Sequence, residues 1–353
     1  MVTREAVLEA LGRVIDPELR RPVTELDMVS DIAVDGGRVA VTIALTVVGC
    51  PLRASFEDQV QREVGSVEGV ESVQLGFDVM TPDQRQALVT RLRGGVERRG
   101  ISLADSTRVI AVASGKGGVG KSTVTANLAA SLAQRGLQVG VLDADVYGHS
   151  IPHLLGIRQR PVLVDKMIVP PVRHDLKLMS IGFFLERNEP VMWRGPMLHR
   201  ALEQFLQDVH WGDIDLLVVD MPPGTGDVAI SLAQLLPRAE VVVVTTPQAA
   251  AQEVAVRAAL MAQKTGMRLL GAVENMSGDV FGYGGGERLA RELGIPLLAS
   301  IPLDPRLRES GDAGEPLVSS DGDSAAAQAI EAVAERVVAL RPPQIVKQLS
   351  VVG

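Results

Sequence analysis

The chain has 353 residues, 46% of them apolar and 3% aromatic, with a formal net charge of −8; that is enough for one large and one small folded unit, and the acidic balance argues against nucleic-acid binding as the main activity. No run of about 20 uninterrupted apolar residues is present, and the start MVTREAVLEALG lacks the basic-then-apolar order of a secretory signal, so a cytoplasmic protein without membrane attachment is expected. One cysteine, Cys50, excludes an intramolecular disulfide framework and leaves a reactive or metal-ligating thiol open.

Residues 1–80 read as a small α+β unit. Val7, Leu8, Leu11, Val14 and Ile15 recur at helical spacing and stop at Asp16-Pro17-Glu18-Leu19. A Gly36-Gly37 turn joins Ile32-Ala33-Val34 to the alternating Val39, Val41, Ile43 and Leu45, which predicts a hairpin. A helix is expected from Leu52 to Val64 and a strand from Val70 to Val79. Asp16 either closes a turn or takes part in chemistry. Cys50, before Pro51 and a helix start, is either a buried small hydrophobe or a thiol of lowered pKa.

Residues 81–104 are charged and helical in pattern and read as a linker helix whose arginines form a solvated face. From 105 to 353 strands and helices alternate, which predicts a mostly parallel sheet with helices on both faces. Its first strand, Val109 to Ala113, breaks into GKGGVGKST, and a helix follows from Lys121 to Arg135. Gly115, Gly120, Lys121 and Ser122 fit G-x-x-x-x-G-K-[ST] in the strand–loop–helix setting this motif needs. Glycines let successive N–H groups turn toward phosphate oxygens, and the helix adds its positive dipole end. Lys121 supplies a cation for the β/γ-phosphates, Ser122 a hydroxyl for Mg²⁺, and Thr123 reaches toward the α-phosphate. The expected nucleotide contacts are thus Gly115, Lys116, Gly117, Gly118, Val119, Gly120, Lys121, Ser122 and Thr123.

Asp143 and Asp145 end the second strand, at the edge where ligands collect; each is either a strand-end cap or a group for placing metal and water. LLVVD, 216–220, ends an apolar strand in Asp220, expected to hold Mg²⁺ through water. Pro222 and Pro223 stiffen the following segment and Gly224 and Gly226 leave it room to respond to a γ-phosphate. His149, His153, His174, His199 and His210 show no metal-ligand spacing.

The second lysine of GKGGVGKST, Lys116, makes this loop resemble the deviant P-loop of the ParA/MinD class of dimeric ATPases. That resemblance implies ATP with Mg²⁺, a homodimer in which Lys116 reaches the partner's phosphates, and Asp145 orienting the attacking water with Asp143 near the metal shell. DMPPGTGD, 220–227, and ENMS, 274–277, are similar to Mrp-type iron–sulfur cluster carriers, implying that Asn275 meets an adenine edge with Pro302 on the other side of the base, the alternative being a buried amide that satisfies loop backbone. DPEL at Asp16 and TVVGCP ending at Pro51 resemble the iron–sulfur-assembly domain fused to such carriers, and point to Asp16, Glu18 and Cys50. The fold so implied is an α/β P-loop NTPase preceded by a small α+β domain.

One departure from the family pattern bears on function. Cluster-carrying members have C-x-x-C soon after ENMS, whereas residues 275–286 here contain no cysteine. A homodimer then offers two Cys50 thiolates, and a four-cysteine cluster would need another protein or other ligands. The expectation is a slow ATPase that binds or transfers iron–sulfur clusters to apo-proteins or exchanges them with an assembly scaffold. The alternative is a cluster-free nucleotide switch that gates partner binding.

Overall fold

In the computed structural model the described residues are 2–47, 52–92, 103–104, 106–146, 148–185 and 195–340. The chain divides into two compact units: Met1–Thr107 with Gln138–Leu142 and Ile157–Leu216, and Arg108–Leu137 with Asp143–Gly156 and Leu217–Gly353.

In the first unit, helix α1 (Arg4–Leu11) is capped by Thr3, whose hydroxyl oxygen accepts the Ala6 N–H at 3.2 Å. The apolar spacing continues to Ile15, but the helix stops at Leu11. Val14 instead pairs its carbonyl with the Val23 N–H at 2.9 Å and buries its side chain through a turn. Strands β1 (Val29–Asp35) and β2 (Arg38–Leu45) are antiparallel across the expected glycine turn, with Val34 opposite Val39. After α2 (Arg53–Gly65), strand β3 (Ser72–Val79) joins β2 in parallel, with Val41 opposite Leu75.

Alternation places Val39, Val41 and Ile43 in one core with Phe56, Val60 and Val64 of α2. Helix α3 (Pro82–Leu92) adds Leu88 and Val89 to that core; the rest of the expected linker helix, 93–100, lies outside the described residues. A short hairpin within the same unit brings in Val164, Met167 and Val169.

Strands β4 (Arg108–Ser114) and β5 (Val139–Asp143) begin the α/β pattern. In the second unit the order is β13 (Leu297–Pro302), β12 (Arg268–Ser277), β11 (Glu240–Thr245), β4 and β10 (Leu216–Asp220). The pairs β4–β11, β11–β12 and β12–β13 are parallel. Parallel strands covered on both faces read as continuous apolar runs, as VVVVT of β11 and LLVVD of β10 do. Helices α4 (Lys121–Gln134) and α12 (Ala325–Ala339) pack together, while α8 (Ala249–Lys264) lies on β11 and α9 (Gly285–Leu293) on β12.

Within the first unit the strand order runs on from β5 to β9 (Leu176–Ser180) and β8 (Val172–Arg173). The hairpin β6 (Val162–Val164) and β7 (Met167–Val169) precedes them. The sequence reading named none of β6 to β9, because strands of two to five residues are too short to display a period. Among the described residues no helix is long and apolar enough to cross a membrane.

Charge is also buried in the first unit. Asp16 is 5% exposed and Lys177 3% exposed, with Glu18 half-buried beside them. Asp16 Oδ1 accepts the N–H groups of Glu18 and Leu19, each at 2.9 Å, so its carboxylate closes the DPEL turn. Burial, and then the charge of Asp16, push Glu18 up to about 7, with Lys177 opposing. Burial and the nearby Arg20 pull Lys177 down to about 8.

Glu18 thus titrates at about 7 in the folded chain against 4.5 ordinarily. Between those values the folded state holds the extra proton, so stability falls as pH rises through the window. The depressed Lys177 acts separately, above about 8, where stability rises with pH. Glu18→Gln should raise the unfolding free energy at pH 8 by up to about 3 kcal/mol and flatten the fall toward neutral pH. Urea unfolding of both proteins at acidic and at mildly alkaline pH measures this; parallel pH profiles would count against the assignment.

Candidate functional site

The apolar strand β4 ends at Ser114, and the chain turns through the glycine loop into α4. Two glycines have specific reasons. At Gly115 a Cβ would stand 2.2 Å from the backbone of Val254 and Ala255, so only glycine lets α8 approach the loop this closely. Gly120, at φ +79, adopts the left-handed conformation that starts α4, and a Cβ there would meet Asn275 Nδ2 at 2.2 Å. Lys116, Gly117 and Gly118 form the open lip of the loop, whereas Val119 is buried.

The chemistry concentrates at the first turn of α4. Lys121 Nζ lies 2.8 Å from Asp220 Oδ2 and 3.4 Å from Asp145 Oδ2. Ser122 donates its hydroxyl to Asp220 Oδ2 at 2.6 Å. Thr125, one helical turn after Lys121 and therefore on the same face, sets its Oγ1 2.8 Å from Asp220 Oδ1. Asp220 is 0% exposed. Burial raises its pKa, while Lys121 and the donors Ser122 and Thr125 oppose that rise. These contacts give both carboxyl oxygens of Asp220 partners where no water reaches it.

The other strand ends feed the same place. The Ala144 N–H donates to the Asp220 carbonyl at 3.0 Å, which ties the end of β5 to that of β10. Asp143, fully buried, accepts the Asp145 N–H at 3.2 Å, and Asp145 Oδ1 accepts the Gly148 N–H at 3.0 Å. Both acids serve as strand-end caps, and Asp145 in addition holds one oxygen toward Lys121. The Gly224 N–H bonds to the Ser114 carbonyl at 2.8 Å, bringing the PPGTG segment against the loop. Lys116 Nζ is held at 3.3 Å by Gln248 Oε1, in front of α8 and apart from the Lys121 network.

A cavity of about 240 Å³ opens beside the loop, lined by Gly120, Thr123, Asn275, Met276, Pro302 and Leu303 among others. Asn275 spends one amide N–H on the Val119 carbonyl at 2.9 Å and so braces the loop from the end of β12. Its neighbour Glu274, 1% exposed, accepts the N–H groups of Gly286 at 2.6 Å and Gly284 at 3.3 Å, and so fixes the start of α9. Between them the segment where C-x-x-C would fall closes on itself through paired Gly278 and Gly282, with Val280 and Tyr283 exposed.

Thr125 and Gln248 support the site without standing out in the sequence, and Glu274, though part of ENMS, has no role there until the structure gives it one. Thr125 was reachable, lying four residues beyond Lys121 on an expected helix; Gln248 and Glu274 belong to the site only through the sheet order. Cys50 lies outside the described residues. Among the described residues no group of three or more His, Cys, Asp or Glu is placed to hold a metal. Ser122 and Asp220 nevertheless present hard oxygen donors joined at 2.6 Å, which suits Mg²⁺, an ion that takes few protein ligands and completes its shell with phosphate and water.

Comparison with known proteins gives two family matches. Residues 105–338 match the NUBPL iron-transfer P-loop NTPase model of the ParA group, and residues 4–75 match the iron–sulfur cluster assembly protein model. The iron–sulfur cluster carrier protein of Mycobacterium tuberculosis is 55% identical over 349 residues, covering 94% of this chain and 92% of that protein. Among solved structures, a nucleotide-binding protein of Archaeoglobus fulgidus in complex with ADP is 39% identical, with a TM-score of 0.51 over 59% of this chain and 86% of that one. The septum site-determining protein MinD of Pyrococcus horikoshii, complexed with Mg-ADP, is 26% identical, with a TM-score of 0.52 over 65% and 96%. With a parallel sheet flanked by helices, a glycine loop at its edge and both family matches in sequence, the chain belongs to the iron–sulfur cluster carrier family of P-loop NTPases of the ParA/MinD class.

Proposed function

We propose that this protein is a cytoplasmic, homodimeric ATPase of slow turnover that binds iron–sulfur clusters and transfers them to apo-proteins. The division into an assembly-like domain (1–80), a linker helix (81–104) and an ATPase domain (105–353) is part of this reading. The observation that carries it is the buried Lys121–Asp220–Ser122–Thr125 network at the foot of the glycine loop.

In this reading the β/γ-phosphates of ATP compete with Asp220 and Asp145 for the Lys121 ammonium, while loop N–H groups and the α4 N-terminus take up the remaining charge. Ser122 directly and Asp220 through water would hold Mg²⁺, which when bound would supply charge neutralisation at the phosphates. Asp145, released from Lys121, accepts a hydrogen bond from the attacking water, and Asp143 keeps the Asp145 backbone in place. The base occupies the cavity beside Asn275 and Pro302. Lys116, held outward by Gln248, is available to a nucleotide on a second copy of the chain. Nucleic acid and membrane have no part in this function.

The cluster is cargo, and Cys50 is the one thiol this chain can offer it. The absence of cysteine from 275–286 favours a second reading, a nucleotide switch that captures a partner without carrying a cluster. Anaerobic reconstitution with and without a scaffold protein separates the two: the first requires cluster transfer to an apo-protein that falls to background in Cys50→Ala. ATP-dependent partner capture by cluster-free protein, with no transfer, selects the second.

Lys121→Ala should weaken ATP binding by about a hundredfold or more, since a charge-assisted contact to phosphate is lost and Asp220 is left uncompensated. Asp145→Asn should leave binding near wild type and slow turnover by about 10²-fold or more; unchanged hydrolysis would remove Asp145 from the mechanism. Thr125→Val takes a hydroxyl from a buried carboxylate, for a predicted loss of about 1–3 kcal/mol in unfolding free energy. Thermal unfolding with and without Mg-ATP reads that loss and whether nucleotide restores it.

A further inference from the structure

The DPELR segment is the one motif that the nucleotide site does not absorb. It folds into a closed turn: the Arg20 N–H donates to the Asp16 carbonyl at 2.7 Å, and Ile15 bridges Pro22. Arg20 sits at φ +55, a conformation uncommon for a side chain of its size. Its guanidinium donates to the Asp175 carbonyl at 2.7 Å, on a hairpin turn whose residues His174 and Asp175 are themselves at φ +52 and +58. Strained backbone on both sides thus meets at one guanidinium.

Beside it, within the first unit, lies a second cavity of about 240 Å³. Three cationic side chains line it, Arg20, Arg21 and Lys177, against one carboxylate, Asp213. Lys177 is buried and donates to the Trp211 carbonyl at 2.9 Å. Gly212 preserves the space in front of it: at φ +66, a Cβ on this residue would stand 3.1 Å from Lys177 Nζ and 3.7 Å from His210 Nε2. Asp16 does not line the cavity and is engaged by its own turn. The rest of the lining is mixed, with Gln138 and His210 beside Leu19, Leu92 and Ile214.

We propose that this cavity binds a small dicarboxylate of four or five carbons. Two features select that chemistry. The lining sets Arg20, Arg21 and Lys177 against Asp213, with Asp16 and Glu18 near Lys177 behind it, and guanidinium groups favour planar carboxylates. A space of about 240 Å³ is more than a single tetrahedral anion needs, and the methylenes of a four- or five-carbon dicarboxylate then meet Leu19, Leu92 and Ile214. Inorganic phosphate is too small to use those side chains. Lys177, lowered to about 8 by burial and Arg20 against the opposing Asp213, Asp16 and Glu18, gains charge beside a bound carboxylate, so binding draws in a proton near pH 8.

The test is isothermal titration calorimetry of the full-length protein at pH 8 with succinate, glutarate and inorganic phosphate, each in two buffers of different ionisation enthalpy. The expected result is saturable binding of succinate or glutarate with net proton uptake and little response to phosphate. Arg20→Gln and Lys177→Met should each weaken it by about tenfold or more, with Mg-ATP binding unchanged. If Lys177→Met fails to fold, Arg21→Ala, at an exposed position, serves instead and should weaken binding by a few-fold. No saturable dicarboxylate binding, binding unaffected by Arg20→Gln, or phosphate binding as tightly as succinate would each overturn the proposal.

Discussion

The fully buried carboxylate of Asp220 is the constraint around which the second unit is arranged. A lone carboxylate in that setting would cost several kcal/mol, and the fold meets it with Lys121 at 2.8 Å, Ser122 at 2.6 Å and Thr125 at 2.8 Å. All three partners come from the first two turns of α4. The helix can present them only if it begins directly beneath the end of β10, which requires β4 and β10 to be neighbours and the connecting loop to be short. The glycines follow from the same demand: α8 and Asn275 press so closely on the loop that a Cβ at position 115 or 120 has no room.

That network also prepares the site for its ligand. Lys121 is shared between Asp220 and Asp145 at 2.8 and 3.4 Å, and a polyphosphate that takes the ammonium changes the environment of both acids at once. Asp220 keeps two hydroxyl donors; Asp145 keeps one backbone N–H. The same cation therefore links phosphate recognition, in the proposed mechanism, to the acid assigned to the attacking water. The first unit uses buried charge differently: its Asp16 carboxylate serves the local backbone, which leaves Arg20 and Lys177 facing a cavity.

Much of this was legible in the residues. Continuous apolar runs ending in Asp143 and Asp220 mark parallel strands, because a strand buried on both faces has no polar side to show. The loop GKGGVGKST states its chemistry directly, since phosphate binding needs glycine, lysine and hydroxyl at fixed spacing. What escaped had physical reasons. The strands β6 to β9 are too short for periodicity, and α1 stops at Leu11 although apolar spacing runs on.

By itself the sequence determined the nucleotide chemistry, the parallel α/β class and the two family assignments, because each depends on residue types at short, fixed spacing. The tertiary structure alone decided which distant groups share an environment. Thr125 with Asp220, Gln248 with Lys116, Glu274 with the start of α9, and Lys177 with the DPELR turn are separated by 95, 132, 12 and well over a hundred positions respectively. Such pairings are set by strand order and by the cost of leaving a buried charge without a partner, and neither is written in local spacing.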